Sequence, residues 1–564
     1  MRIAALLDGA QLRPVAGLPP LARLRGTLAF AAGQLQRSTL TGEWLGGPAS
    51  LAVSERHEHG TSLLTIAGRG TVDARAAAQL AGANADSAGV SGSADWSALL
   101  LFPVATPAHW QLHADSSLAA VASRLPEPFA KVPGAVLPLH LDLQANDDRG
   151  ELRVSLGDRF VGAAALARSG DSWRIERGAL RLGGTAPPLP LEPLLVLDGR
   201  VSRLDFAACL ALWRQAARDA ALPQLRAHLT AAQLLAGTRS FPEVSVSGDA
   251  AGGAGVLRVE SAALTGSARW GALIDAEHPA LLHFSRFNIT GAAEGTFTAQ
   301  LAAVLAPAAQ LAVDELAWQG RSLGTLAGTL AVHGTTLEAR ELALSGPAGD
   351  TRADARCYES LCTLEFRLET ADAAAALSAF GFTPDVSASH AHLAGQLHWS
   401  PQDSNPLATL GGSLHMRLEN GVTGAAVDAP RGTFALLSVP ALLAGMAQEP
   451  AAAAPPALHF VRLTADYEVR DGQAVTPGLH FDGDAEILVR GRVGLSSGDY
   501  DEQAWILHGE DRLPAAVRRL GPSPRLAALW LSLRELLGGE VGERAQTALH
   551  LRGPWSDPIV TPLE

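Results

Sequence analysis

Three short clusters bring together residues that could do chemistry. His57-Glu58-His59 sets two imidazoles on one face of an extended segment, as a metal site would, but no third ligand stands nearby to close the set. Asp482-Gly483-Asp484 has the carboxylates of a calcium loop without its twelve-residue pattern, and it reads as a turn. Cys357 and Cys362 flank Tyr358-Glu359-Ser360-Leu361 between two strand-like runs, so a hairpin there would set them opposite each other, within disulfide reach. An oxidised pair and two free thiols both remain open; a disulfide would point to an oxidising compartment. The third cysteine, Cys209, falls in a predicted helix and reads as a small buried apolar residue.

The motifs of nucleophilic, phosphate and metalloprotease chemistry are missing. There is no GxSxG elbow, Walker A loop, HExxH or EF-hand, and the glycine-rich run 248–255 lacks the GxGxxG spacing and reads as a hairpin turn. Asp and Glu fall mostly in turns or on polar strand faces. The expectation is a protein without catalytic residues, metal or cofactor.

The elements that would position side chains are mostly strands. Leu137, Leu139, Leu141 and Leu143 alternate with Pro138, His140 and Asp142, and after the turn at 146–150 the code repeats at Leu152, Val154 and Leu156. It recurs at Leu414, Met416 and Leu418, at Leu463, Ala465, Tyr467 and Val469, and at Ile487, Val489, Val493 and Leu495. Short amphipathic helices are expected at 116–125, 205–219, 372–380, 434–447 and 523–537. The fold class is therefore mainly β, a long curled antiparallel sheet forming an elongated groove with a few short helices. Three segments are drawn: 1–190, 191–447 and 448–564, with seams at the Pro-rich stretch 185–193 and the Ala/Pro run 448–456.

Composition agrees with a large apolar face. Hydrophobic residues make up 47% and charged residues 18%, against roughly 25% charged in an average soluble domain. The net charge of −13 and a single lysine, Lys131, argue against nucleic acid and against a coulombic membrane anchor. No run of 18 apolar residues is present, and the first residues carry only five apolar residues before Asp8, too few for a signal peptide.

Several stretches resemble the YhdP family of AsmA-like proteins, within the TamB-like superfamily. Residues 115–131 are similar to a family stretch running through Leu-Pro-x-Pro to a lysine, here Lys131, followed by a Leu-Pro-Leu strand at 137. Residues 198–213, 311–324 and the ending Gly553-Pro554-Trp555-Ser556-Asp557-Pro558 resemble further family segments, whereas 432–460 holds an alanine-rich insert where the family has aromatic and charged residues. The resemblance covers the C-terminal part of a longer protein. It implies a periplasmic protein, anchored in the inner membrane by a preceding segment, that transfers phospholipid between inner and outer membranes. The acyl chains would lie on an apolar β-groove lined by Leu137, Leu139, Leu141, Leu143, Leu152, Val154, Leu156, Leu414, Met416, Leu418, Tyr467, Val469, Ile487 and Val489. Unidentified envelope proteins are further expected partners, and a scaffold for outer-membrane biogenesis is the alternative.

Overall fold

Alternation of apolar and polar residues commits most of the chain to strands. A computed structural model describes residues 2–563 apart from 14–18, 81–88, 210–222, 291–306, 425–434, 447–456, 509–544 and a few isolated positions. The fold is mainly β, with 32 strands in one sheet among the described residues. Contacts divide the chain into two compact units. The first is Met1–Ala236 with Ser240–Ala262 and Arg269–Leu273; the second is Ile274–Glu564 with Gly237–Arg239 and Ala263–Ala268.

Most neighbours are antiparallel hairpins. Gly252 and Gly253, both at positive φ, close the hairpin between Arg239–Ala251 and Ala254–Glu260. Within the first unit, however, the sheet is mixed, contrary to a purely antiparallel expectation. Ser172–Leu182 runs parallel to Leu194–Asp205, which runs parallel to Gln224–Ala236. Parallel neighbours need a long crossover, and this is what the Pro-rich stretch 183–193 supplies, held down where Arg177 Nη1 donates to the Pro190 carbonyl at 2.9 Å. The next crossover begins as a helix at Phe206, with Asp205 Oδ1 accepting the Ala208 amide at 2.9 Å. In the second unit Ala280–Ile289 and Ala308–Trp318 form a third parallel pair.

Helices are short and few. Ala373–Ala379 forms as expected, capped by Asp372, whose carboxylate accepts the Ala375 amide at 2.9 Å. Ala74–Leu80 is a helix that strand reasoning did not foresee. The helix expected at 116–125 is absent. Ser116 and Ser117 hydroxyls accept the Leu118 and Ala119 amides at 3.1 and 3.2 Å, Leu118 adopts φ 47°, and Val121–Ala122 pairs with Ser91 and Gly92. Serines that read as a helix cap bond locally into turns instead. Ser438–Met446 does form a helix within 434–447, but it is apolar on every side rather than amphipathic, and 435–443 is buried throughout. The helix expected at 523–537, most of 205–219 and the seam at 448–456 lie outside the described residues.

Candidate functional site

Register turns the alternating leucines into rows. In the first unit Leu139, Leu141 and Leu143 stand directly opposite Leu156, Val154 and Leu152. Each pair belongs to a longer row. The middle one passes from Leu51 through Gly68, Ala98 and Ala114 to Leu141 and Val154, then through Gly162 to Leu180, Leu197 and Ala227. A neighbouring row runs Val53, Ile66, Leu100, Leu112, Leu143, Leu152. At the Leu51 end these rows are packed into a core with Leu21, Leu24, Leu40 and Phe102, and Trp44 meets Trp96 edge-on at 5.2 Å. From Leu112 onward the large apolar side chains are only half-buried: Leu139, Leu141, Leu143, Leu152, Val154 and Leu156 all fall in this class, while Leu137, at the strand entry, is buried.

The opposite face is polar and built of cross-strand pairs. His113 Nδ1 pairs with Asp142, and His140 Nδ1 with Asp115 Oδ1 at 2.5 Å. Similar His–Asp pairs join His283 to Asp314 and His415 to Asp466. Among the described residues no three His, Cys, Asp or Glu converge as a metal site would require.

In the second unit another row runs Val313, Leu326, Leu344, Thr351, Leu368, Leu393, Met416, Ala465, Leu479, Val489, Ala504, Leu549. Its burial changes abruptly. Leu326, Leu344, Leu368 and Leu393 are half-buried, whereas from Met416 to Leu549 every residue is buried. The cause is a packed core in which seven apolar residues of the buried run 435–443, including Leu437, Val439 and Leu442, lie among the buried side chains of seven strands. Leu414, Met416, Leu418, Tyr467, Val469, Ile487 and Val489 all belong to this core, so the protein's own chain covers them. Sequence reasoning passed over the half-buried stretch between: Leu342, Leu344, Leu364, Phe366, Leu368, Leu393 and Leu397 share one face. The signal was present, since each of these strands alternates in the same way.

Cys357 and Cys362 are directly opposed across the hairpin at a Cα separation of 4.0 Å and are joined by a disulfide. Cys209 is partly buried, and burial, helped by Asp205, pushes its thiol up to about 11, so it is a poor nucleophile at neutral pH. The single lysine is also structural. Lys131 is buried; its ammonium donates to the carbonyls of Val121 at 2.7 Å, Val132 at 3.4 Å and Ala119 at 3.5 Å, and burial together with Arg159 lowers its pKa. It ties the backbone at Ala119, Val121 and Val132 together directly before the Leu139 strand.

Apolar rows on one face and paired polar residues on the other make this a two-faced β-sheet protein. The chain belongs to the YhdP family, whose model, described as YhdP protein, matches residues 5–560. Membership assigns it to AsmA-like envelope proteins, a non-enzymatic family with a role in lipid transport or envelope biogenesis. No curated protein matches the chain. Among the described residues no helix is long and apolar enough to cross a membrane.

Proposed function

We propose that this chain carries phospholipid between the inner and outer membranes, with acyl chains lying along the half-buried rows and headgroups in water. The observation that carries this reading is the set of three opposed pairs, Leu139 with Leu156, Leu141 with Val154 and Leu143 with Leu152, left half-exposed on one face. Apolar surface that the described residues leave half-exposed calls for a partner. Covering one methylene is worth about 0.8 kcal/mol. A chain half-wrapped along roughly ten methylenes would gain about 4 kcal/mol, near millimolar affinity, enough to hold lipid and weak enough to let it move on. The periplasm, with anchoring in the inner membrane, is the compartment this reading requires.

The test is mass spectrometry of lipid extracted from protein purified out of a membrane-free fraction. Phospholipid at one or more molecules per chain is expected. Folded protein that emerges lipid-free and takes up no phospholipid from vesicles would sink the proposal.

A further inference from the structure

The buried core around residues 435–443 contains acid groups that an apolar core should not hold. Glu502 is 0% exposed, and its strand neighbours Tyr500 and Ala504 lie on the same inward face. Across the register it sits between Gly491 and Leu551. A Cβ on Gly491 would come within 3.1 Å of Glu502 Cγ, so the glycine makes the room in which the carboxyl lies. Neither Glu502 oxygen has a hydrogen-bond partner, and the same holds for both oxygens of buried Asp385, for Thr423 Oγ1, for Ser438 Oγ and for the Tyr500 hydroxyl. These seven orphaned atoms occupy one region. Ser438, the first residue of the helix Ser438–Met446, lies close enough to Glu502 to oppose the effect of burial on it without meeting hydrogen-bond geometry. Tyr467 feels the charge of Glu502, and Tyr500 that of both Glu502 and Asp385.

The groups facing Glu502 can be named element by element. Its own strand contributes Tyr500; Leu458–Arg470 contributes Tyr467, whose hydroxyl donates to the Leu436 carbonyl; the entry to Val386–Trp399 contributes Asp385. Gln473–Gly483 contributes Thr476, Leu479 and Phe481, and Ala545–Pro554 contributes Leu549 and Leu551. His550 and Arg552 sit on the other face with Asp501. Among the described residues no cation faces either acid.

We propose that residues 435–446, which end in the helix Ser438–Met446, are a proton-held plug, seated over the closed end of the apolar row while Glu502 and Asp385 are neutral and lifted when they ionise. An unpaired carboxylate in such a core is prohibitive, so seating requires the protonated acids. Lifting the plug lets water reach them. Burial raises Glu502 from the usual 4.5 to about 8 and Asp385 from 3.8 to about 6 in the seated state. A raised acid pKa means that seating is fully favoured below the ordinary carboxyl values and is lost as pH rises through the raised ones. Glu502 alone therefore weakens seating by about tenfold per pH unit between 6 and 8, and the dependence steepens below 6, where Asp385 joins it.

Hydrogen exchange of the full chain, with intrinsic chemical rates divided out, tests this from pH 5 to 9. Peptides covering 438–446 should lose about tenfold protection per unit from pH 6 to 8 and level off above 8, while those covering 458–470 and 486–494 stay protected. In Glu502→Gln the helix should stay protected without a slope above pH 6. Flat helix protection in the wild type, strands that open in step with the helix, or a slope that survives in Glu502→Gln would each overturn the plug. If Glu502→Gln fails to fold, the wild-type profile still decides.

Discussion

The hairpin Leu139–Leu156 and the strands from Gly411 to Gly494 are written in the same period-two code, yet one leaves its leucines half-exposed and the other seals them. Leu141 and Val154 are half-buried, whereas Leu479 is 0% and Val489 1% exposed. Alternation states which face is apolar; it does not state what covers that face. In the second region the cover is the chain itself, residues 435–443, apolar on both sides where a surface helix would be amphipathic. In the first region no described segment lies over the face in this way, and the rows are thinned by Gly68, Ala98, Ala114 and Gly162, which leave relief along it.

That contrast breaks most sharply under a buried charge. Val489→Asp should cost about 4 kcal/mol or more, because the carboxylate has no partner in a packed core. The variant should be largely unfolded in its second unit by denaturant titration. A loss under about 1 kcal/mol would mean that the core is as open as the first region. Next in size, Phe481→Ala should cost about 3–5 kcal/mol through the cavity it leaves, against roughly 1 kcal/mol for Leu152→Ala, whose neighbours already leave it partly in solvent. Equal losses in thermal melting would erase the distinction.

Much of this was legible in the residues. Period-two runs gave the strands, the return of the leucine code after the 146–150 turn gave a strand pair, and Asp372 gave a helix start. What could not be read were features decided by distant groups. Parallel crossovers depend on where a chain returns, and Ser116 and Ser117 bond locally in a way that helix capping mimics. Glu502 did leave a trace, since it occupies an inward position between Tyr500 and Ala504 where the alternation calls for an apolar residue. Nothing in composition could say that Asp385, over a hundred residues earlier, would share its core.

Between the two regions lies the hairpin closed by Cys357 and Cys362. The pair should resist alkylation in folded protein until a reductant is added. Replacing both by serine should cost up to about 2 kcal/mol, the loop-entropy value for so short a ring. Thiols that react freely in well-folded protein from an oxidising compartment would show that the crosslink does not persist there.

The smallest stability effect belongs to the face that carries the lipid proposal. Leu141→Asp places a carboxylate on a half-buried row, where water can still solvate it, so about 1 kcal/mol or less is expected. Its effect on bound lipid should be far larger, because an acyl chain crossing the row would have to desolvate that charge. The control belongs on the polar face, and the pairing there dictates its form. His140→Asp would set a second carboxylate against Asp115, a repulsion of its own. His140→Ser removes the pair without adding charge. The measurement is double: thermal melting of each variant, and phospholipid retained per chain. Leu141→Asp that melts near wild type yet loses its lipid, beside His140→Ser that keeps both, would separate a wetted groove from a packed core. Leu141→Asp that melts near wild type and retains all its lipid would take the row out of the path. Leu141→Asp that unfolds as Val489→Asp does would make the two regions one kind of core.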